Sequence, residues 1–366
     1  MEPVFEAEIT PGMSPLDAVG LGVQVEAAGF QRLGVSCVAL WPDTYQIQTL
    51  IADRTNKIQI GPMVTNPYTR HVAVHASAIA TLQEVSNGRA FMGIGVGPGL
   101  EELGFDYNKP VQTLRETVMA FRQLLNGEET TIRGETISIE RSRLLRNLEA
   151  PVPVAIGTRS PGVMSLAGEL ADVALIGARY LTPKILGQYR DWLTKGAVRA
   201  DRSLEDIQIL PRVTLCISSD ADLAVHSVKR YAAHYLSVLG DHGPVISTSR
   251  RQAIQEALSG ATGWYFDADR YDPPELIDLV DPELARQFAI VGTPEQCVDQ
   301  LISLLNLGVD GASFNLVAVT GGSMFDGLSQ TIEGAAKMLD LLKGFHPHGA
   351  LLSHTPPPGR GGRLRL

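Results

Sequence analysis

Residues 293–316, TPEQCVDQLISLLNLGVDGASFNL, contain a helix and the strand that it feeds. Thr293 is a helix-capping type, Pro294 suits a first turn whose amide has no partner anyway, and Gln296 stands at the capping-box position. Val298, Leu301, Ile302 and Leu305 follow at helical spacing, Gly308 ends the run, and Gly311 to Leu316 reads as strand. A helix running directly into a β segment is the repeating unit of a parallel sheet, because parallel neighbours need a long crossover between them.

Working outward, the same alternation recurs along the chain. Strand candidates are Val4 to Ile9, Arg32 to Ala39, Ile58 to Val64, Ala90 to Val96, Val152 to Ile156, Val173 to Ile176, Ile207 to Ile217 and Gly311 to Leu316. Between them, Val111, Leu114, Val118, Phe121 and Leu125 form one apolar helical stripe. These eight strands predict an α/β protein, a (β/α)8 TIM barrel spanning residues 1–344. The alternative is a doubly wound open sheet, but the first strand runs into Thr10-Pro11-Gly12-Met13 instead of a glycine-rich dinucleotide turn. Residues 240–290, after the seventh strand, are expected to be an insertion over the barrel mouth and a candidate lid. Residues 345–366, with Pro356-Pro357-Pro358, carry too few apolar groups to offset ordering entropy and are expected to form a disordered tail.

With 31 basic against 40 acidic residues, the net charge of −9 disfavours nucleic acid as a partner. Cys37, Cys216 and Cys297 are odd in number and far apart, which suits a reducing cytoplasm better than a disulfide framework or a cysteine metal cluster. Neither a signal peptide nor an apolar run of membrane-spanning length is visible, so a soluble cytoplasmic protein is expected. His71 and His75 are four residues apart, but no acidic residue lies between them, and no metal site is predicted.

Gly93-Ile94-Gly95-Val96-Gly97-Pro98-Gly99 places glycine at every second residue, which clears one strand face. A flat ring could approach the backbone there; a tight barrel interior would need the same glycines. After the fifth strand, Gly157-Thr158-Arg159 leads into Ser160-Pro161, where a capping residue and a proline open a helix. Unpaired amides, the helix dipole and Arg159 favour a phosphate at that point.

Leu50-Ile51-Ala52-Asp53-Arg54-Thr55, followed by Ile60-Gly61-Pro62-Met63-Val64-Thr65-Asn66-Pro67-Tyr68-Thr69-Arg70-His71, resembles the bacterial luciferase-like superfamily. The similarity is greatest to the branch containing methylenetetrahydromethanopterin reductase. It continues through Ser86-Asn87-Gly88-Arg89, Gly157-Thr158-Arg159-Ser160-Pro161 and Val291-Gly292-Thr293-Pro294-Glu295. What this resemblance implies is a barrel, usually a homodimer, with a flavin-type ring on a bulge after the third strand. The bulge would carry a non-prolyl cis peptide between Met63 and Val64.

The same resemblance implies that Thr65 and Asn66 bond the polar edge of the ring, with turn formation an equal role for Asn66. The cofactor-binding set is then Met63, Val64, Thr65, Asn66, Gly95, Gly97, Gly157, Thr158, Arg159 and Ser160. Arg70, Arg179 and Lys184 could meet an acidic cofactor arm. Glu8 matches a carboxylate of the reductase branch, and Asp43 matches the aspartate of an Asp-His pair in the deazaflavin-dependent glucose-6-phosphate dehydrogenase. Here Thr44 replaces that histidine and Pro98 replaces a glutamate, so that relative's acid and base do not carry over. Glu8, Asp43 and Thr44 are the catalytic candidates; Tyr68, Glu101 and Glu102 are substrate-side candidates, each with a structural or solvated alternative. The implied activity is hydride transfer between coenzyme F420 and a small organic substrate. Alternatives are a monooxygenase using reduced FMN and oxygen, and an inert flavin-binding barrel.

Overall fold

Alternation along β1 (Val4–Ile9) sends Phe5, Ala7 and Ile9 outward into the apolar layer under the helices, which turns Glu6 and Glu8 into the barrel. The computed structural model describes residues 2–10, 12–97, 100–145, 148, 150–239, 243–262 and 271–343. Pro98, the side chain of Glu102, parts of the 240–290 segment and the 345–366 tail lie outside the described residues. After β1 come α1 (Pro15–Ala27), β2 (Arg32–Val35), α2 (Thr44–Arg54), β3 (Gln59–Pro62), α3 (Val72–Val85), β4 (Met92–Ile94) and α4 (Pro110–Leu125). A hairpin of β5 (Thr130–Arg133) and β6 (Ser138–Ser142) precedes β7 (Val154–Thr158), α5 (Pro161–Leu170), β8 (Val173–Ile176), α6 (Pro183–Arg199) and β9 (Gln208–Ile217). The chain continues through α7 (Ala221–Leu239), α8 (Thr248–Ser259), α9 (Pro274–Leu279), α10 (Pro282–Arg286), β10 (Ala289–Gly292), α11 (Pro294–Leu305), β11 (Gly311–Leu316) and α12 (Met324–Leu341).

The strands run parallel in the order β3-β2-β1-β11-β9-β8-β7-β4, and isolated bridges Ile60 to Ala90 and Thr65 to Ile94 bring the two ends together. The result is a nearly closed barrel of eight parallel strands with helices outside, the TIM barrel expected from the alternation. A ninth strand, β10, pairs with Thr214 to Ile217 of β9, while β11 pairs with Arg212 to Leu215. Since Thr214 and Leu215 have partners in both, β10 lies on the β8 edge of β9 and extends that edge toward the mouth.

Three expected strands are shorter than the apolar runs suggest. Arg32 to Ala39 ends at Val35, Ile58 to Val64 contracts to β3, and Ala90 to Val96 contracts to β4, because the residues beyond leave the ladder to build the mouth. Val152 to Ile156 shifts to β7, and the β5–β6 hairpin and β10 were not expected.

The barrel interior has two chemically different halves. Met63, Phe91, Ala155, Val173, Leu175 and Leu210 form an apolar cluster on the β3, β4, β7 and β8 side. Glu6, Glu8, Arg32, Arg212, Thr214, Ser313 and Asn315, all buried, occupy β1, β2, β9 and β11. Arg32 joins the halves, with its Nε donating to Gln59 Oε1 at 2.8 Å and its Cζ 5.7 Å from the Phe91 ring centre.

Outside the barrel, α7 to α10 and β10 share a second apolar cluster that includes Tyr231, Leu236, Ile254, Leu276, Leu284 and Phe288. This cluster reaches Val317 and Val319, just beyond the mouth end of β11. No helix among the described residues is long and apolar enough to cross a membrane.

The hairpin is held to α4 by one carboxylate. Glu116 accepts from the backbone amides of Glu135 (2.8 Å), Thr136 (2.9 Å) and Ile137 (2.8 Å), and from the side chains of Thr136 (2.7 Å) and Gln112 (2.8 Å). Burial alone would raise its pKa, but these donors outweigh it and hold the carboxyl at about 2. The ionised form therefore stabilises the fold by about 3 kcal/mol above the ordinary carboxylate range, and this contribution fades as pH falls from about 4.5 through about 2. Glu116→Gln should unfold at lower urea concentration at pH 7, with the gap to wild type closing by pH of about 2. A gap that stays constant with pH would show that the carboxylate charge is not what holds the hairpin.

Candidate active site

Glu8 stands near the mouth end of β1, 4% exposed. Ser36 Oγ donates to its Oε1 at 2.6 Å, Asn315 Nδ2 donates to Oε2 at 3.2 Å, and Arg212 forms an ion pair with Oε2. Donors from β11, β9 and the segment after β2 thus fix the carboxylate in one orientation. Two residues deeper, Glu6 has Arg32 Nη1 at 4.0 Å, and burial pushes its pKa up against the pull of that arginine.

Beyond β3 the backbone turns into the mouth, and the Met63–Val64 peptide is cis, as the resemblance implies. Met63 N bonds Val35 O on one side at 2.9 Å, and Thr65 N bonds Gly93 O on the other at 2.9 Å. Gly95 N then bonds Thr65 O at 2.9 Å. The glycines around this bulge let the backbone and Val64 come close. A Cβ on Gly95 would lie 2.7 Å from Gly157 O and 3.0 Å from Val64 Cγ2, and one on Gly157 would lie 3.2 Å from Val64 Cγ1. The cleared space is filled by Val64, while Asn66 packs over Gly97, whose φ is +81°. Gly95, Gly97 and Gly157 therefore shape the bulge.

Two residues expected at the polar edge of the ring also make bonds within the protein. Thr65 is fully buried and its hydroxyl donates to Cys37 Sγ at 3.5 Å. Asn66 Oδ1 accepts from the amides of Tyr68 and Thr69, each at 2.9 Å, so this oxygen makes the turn. The catalytic candidate Thr44 is likewise buried, with its hydroxyl donating to Ser36 O at 2.7 Å. Asp43 caps α2, accepting from Tyr45 N and Gln46 N at 3.1 Å each, and pairs with Arg70.

Sequence reasoning missed a relay behind the bulge. His75 Nε2 lies 2.9 Å from Asn66 O, and a carbonyl only accepts, so Nε2 carries the proton. Nδ1 then accepts from Tyr45 Oη at 2.8 Å. Burial lowers the imidazole pKa to about 4, which keeps it neutral in this role. Arg70 lies over the Tyr45 ring at 4.9 Å, linking the relay to Asp43. The spacing of His71 and His75 had flagged the pair, but His71 caps α3, accepting from Ala73 N at 3.3 Å. Arg212, Ser36 and Asn315 gave no sequence signal as partners of Glu8.

Across the mouth, Ser160 occupies the N-cap position of α5, with Pro161 next, as expected. Its hydroxyl makes no cap bond, contrary to the capping reading, and its amide donates to Thr158 Oγ1 at 2.9 Å. No side chain therefore caps α5, and Arg159 beside it is exposed and has no ion pair among the described residues. Tyr68 is half-buried with its ring edge-on to Tyr107 at 5.5 Å, and Glu101 is exposed on a single helical turn.

Comparison with known proteins accounts for this architecture. The luciferase-like monooxygenase family model matches residues 4–311. A 5,10-methylenetetrahydromethanopterin reductase of Methanopyrus kandleri is 30% identical over 331 residues, covering 83% of this chain and 90% of that protein. The F420-dependent glucose-6-phosphate dehydrogenase of Amycolatopsis mediterranei is 25% identical over 320 residues, covering 82% and 88%. Among solved structures, the coenzyme F420 dependent tetrahydromethanopterin reductase from Methanopyrus kandleri superposes with a TM-score of 0.79 at 26% identity, covering 91% of this chain and 98% of that one. The family match begins at the first residue of β1 and ends at the first residue of β11, so it embraces the bulge and the α5 terminus alike, and the chain belongs to the luciferase-like monooxygenase family.

Proposed function

We propose that this protein is an oxidoreductase that transfers a hydride between coenzyme F420 and a small organic substrate. The observation that carries the reading is the uncapped N-terminus of α5 beside the exposed Arg159, which has no ion pair among the described residues, a ready seat for the cofactor phosphate at the end of β7. The printed names of the reductase and dehydrogenase relatives support F420 as the cofactor. When bound, the deazaflavin supplies the hydride chemistry. Val64, half-buried on the bulge, would support the ring, with Met63 packed into the apolar interior beneath it. Thr158, Arg159 and Ser160 would hold the phosphate, and Glu8 would orient the substrate or pass a proton to it from its fixed position. Asp43 acts through Arg70, and Tyr68 and Glu101 border the substrate side. Residues 240–290 would cover the mouth, a reading supported by the contact of their apolar cluster with Val317 and Val319. The functional unit in this reading is a cytoplasmic homodimer.

Titrating the apo-protein with F420 and with FMN, then following oxygen uptake by each reduced complex, tests the cofactor. F420 binding without oxygen uptake is expected; FMN binding with oxygen uptake would replace this reading by the monooxygenase, and binding of neither would leave an inert barrel. The double variant Arg159→Ala with Ser160→Ala should weaken F420 binding by about tenfold, the loss of one charge-assisted contact. Unchanged affinity would place the phosphate elsewhere.

The relay predicts a pH window. His75 is held neutral at about 4 against an ordinary value of 6.5, so the stability that it provides is present above 6.5 and lost as pH falls toward 4. His75→Gln removes this titration, and its thermal melting should depend less steeply on pH between 6.5 and 4 than that of wild type. Parallel curves would mean that the imidazole is not held neutral. Tyr45→Phe leaves Nδ1 without its donor and should cost about 1–2 kcal/mol in urea unfolding.

A further inference from the structure

Glu6 is a buried acid for which the proposed reaction so far has no use. It is fully buried, and among the described residues neither of its carboxyl oxygens has a hydrogen-bond partner. Its register neighbours are Arg32 on β2 and Ser313 on β11, and Ser313 is in turn opposite Arg212 on β9. Arg32 Nη1 is 4.0 Å away, too far for a hydrogen bond, and makes none elsewhere. Arg32 instead has Gln59 Oε1, the Phe91 ring and the charge of Asp172 to offset its burial. Ser313 Oγ is also buried without a partner. Arg32 and Arg212 are the charged groups that face Glu6 from β2 and β9, and Glu8 shares its strand. The remaining side of the interior is the apolar cluster of Met63, Phe91, Ala155, Val173, Leu175 and Leu210. A carboxylate withdrawn from water with no donor on its oxygens is costly, which favours the protonated form, and burial pushes the Glu6 pKa up against the pull of Arg32, Ser313 and Arg212.

Two residues nearer the mouth, the surroundings are reversed. Glu8 accepts from Ser36, Asn315 and Arg212, so it is bonded as a carboxylate. Its register neighbour Asn315 is opposite Thr214 of β9, and Asn315 Oδ1 and Thr214 Oγ1 are buried without partners. Unbonded polar atoms thus run from Glu6 and Ser313 at one level to Asn315 and Thr214 at the next, on the contiguous strands β1, β11 and β9. Buried polar atoms that no protein group reaches take ordered water, which makes about three hydrogen bonds. Residues two apart on a strand are roughly 7 Å apart, a gap that one or two waters bridge. Two carboxyls in opposite surroundings can divide the work, one holding a proton and the other using it. We propose that Glu6, a positioning residue acting through Glu8, stores a proton that reaches Glu8 through ordered water held by Ser313, Asn315 and Thr214. The O–H bond of Glu6 breaks as one forms to the first water, each water hands on a proton, and an O–H bond forms on Glu8, which passes the proton to the substrate as the hydride arrives. Glu6 is left as a carboxylate facing Arg32, whose charge then stabilises it. No electrons move along the route, and solvent at the mouth returns the proton through Glu8 once product has left. The proposal rests on the hydride reading for the use of the proton, but not for where the proton is held or how it moves.

Infrared spectra of the full-length protein without ligand test the store and its route. At pH 7 wild type should show a protonated-carboxyl C=O band that Glu6→Gln lacks and Glu8→Gln keeps. In D2O this band moves as the proton exchanges with solvent, and exchange should be about tenfold slower in Ser313→Ala and in Glu8→Gln, each of which removes one station of the route. A loosened fold would speed exchange, so slowing is not a folding defect. If wild type lacks the band, or Glu6→Gln keeps it, Glu6 is ionised and serves only Arg32, and the proposal is overturned. Equal exchange rates in wild type, Ser313→Ala and Glu8→Gln overturn it as well. If Glu6→Gln does not fold, Ser313→Ala assigns the band, whose frequency should differ from that of wild type because Ser313 is opposite Glu6; an unchanged frequency overturns the proposal. Should F420 not bind, the hydride reading fails while the exchange rates still decide the store and its route.

Discussion

Strands β3 and β4 close the barrel because Gly61 and Gly93 have no side chains: a Cβ on Gly93 would lie 2.0 Å from the carbonyl oxygen of Pro62, and one on Gly61 2.2 Å from that of Phe91. With that space open, Thr65 N reaches Gly93 O and Gly95 N reaches Thr65 O, so the residues that seal the barrel also fold the bulge into its mouth. Val64 then settles between Gly95 and Gly157, spanning the ends of β4 and β7. Closure and site are therefore one structural event. A side chain at position 93 would separate the strands and lose both, whatever the remaining core contributed.

The split interior explains how a packed barrel can also hold fixed charges. Its apolar half supplies close packing, whereas the charged half places ion pairs at two levels, Glu6 near Arg32 and Glu8 on Arg212. Buried pairs of this kind add little net stability, because desolvation offsets most of their attraction. Orientation is what they provide. Ser36 and Asn315 complete the shell around Glu8, so the carboxylate nearest the mouth has one geometry before any ligand arrives.

Much of this was legible in the sequence because both helical and strand periodicities are strong. The capped helix at Thr293 and strand β11 occur where the residues place them, with the reciprocal Thr293–Gln296 bonds in position. Shorter elements escaped: β10 is four residues bounded by no clear start signal, and the β5–β6 hairpin is mostly polar. The site was harder to read for a physical reason. Glycine spacing reveals where Cβ atoms are missing but not which atoms take their space, and here Val64 and Asn66 do so. Glu8 was named through the resemblance, but Glu6 had no sign of its inward placement, since an inward barrel face has the same period as an outward one. Equally, His71 and His75 share a spacing but not a task, because one precedes the helix and the other lies within it.

Strand order gives the mouth a polarity that no single residue carries. In the sequence β3-β2-β1-β11-β9-β8-β7-β4, β1 and β7 stand on opposite sides of the barrel, and β3 lies a quarter turn from each. Glu8 on β1 thus faces the Gly157 to Arg159 end of β7 across the opening, with the bulge between them. An elongated ligand whose anionic arm lies at β7 and whose ring lies on the bulge turns its remaining edge toward the carboxylate side. In the proposed placement the exposed Arg159 meets the anionic arm at β7, whereas Glu8, already paired with Arg212, offers an anion no free cation. In that proposal the positions of the strand ends, more than any single hydrogen bond, set the direction in which the ligand lies.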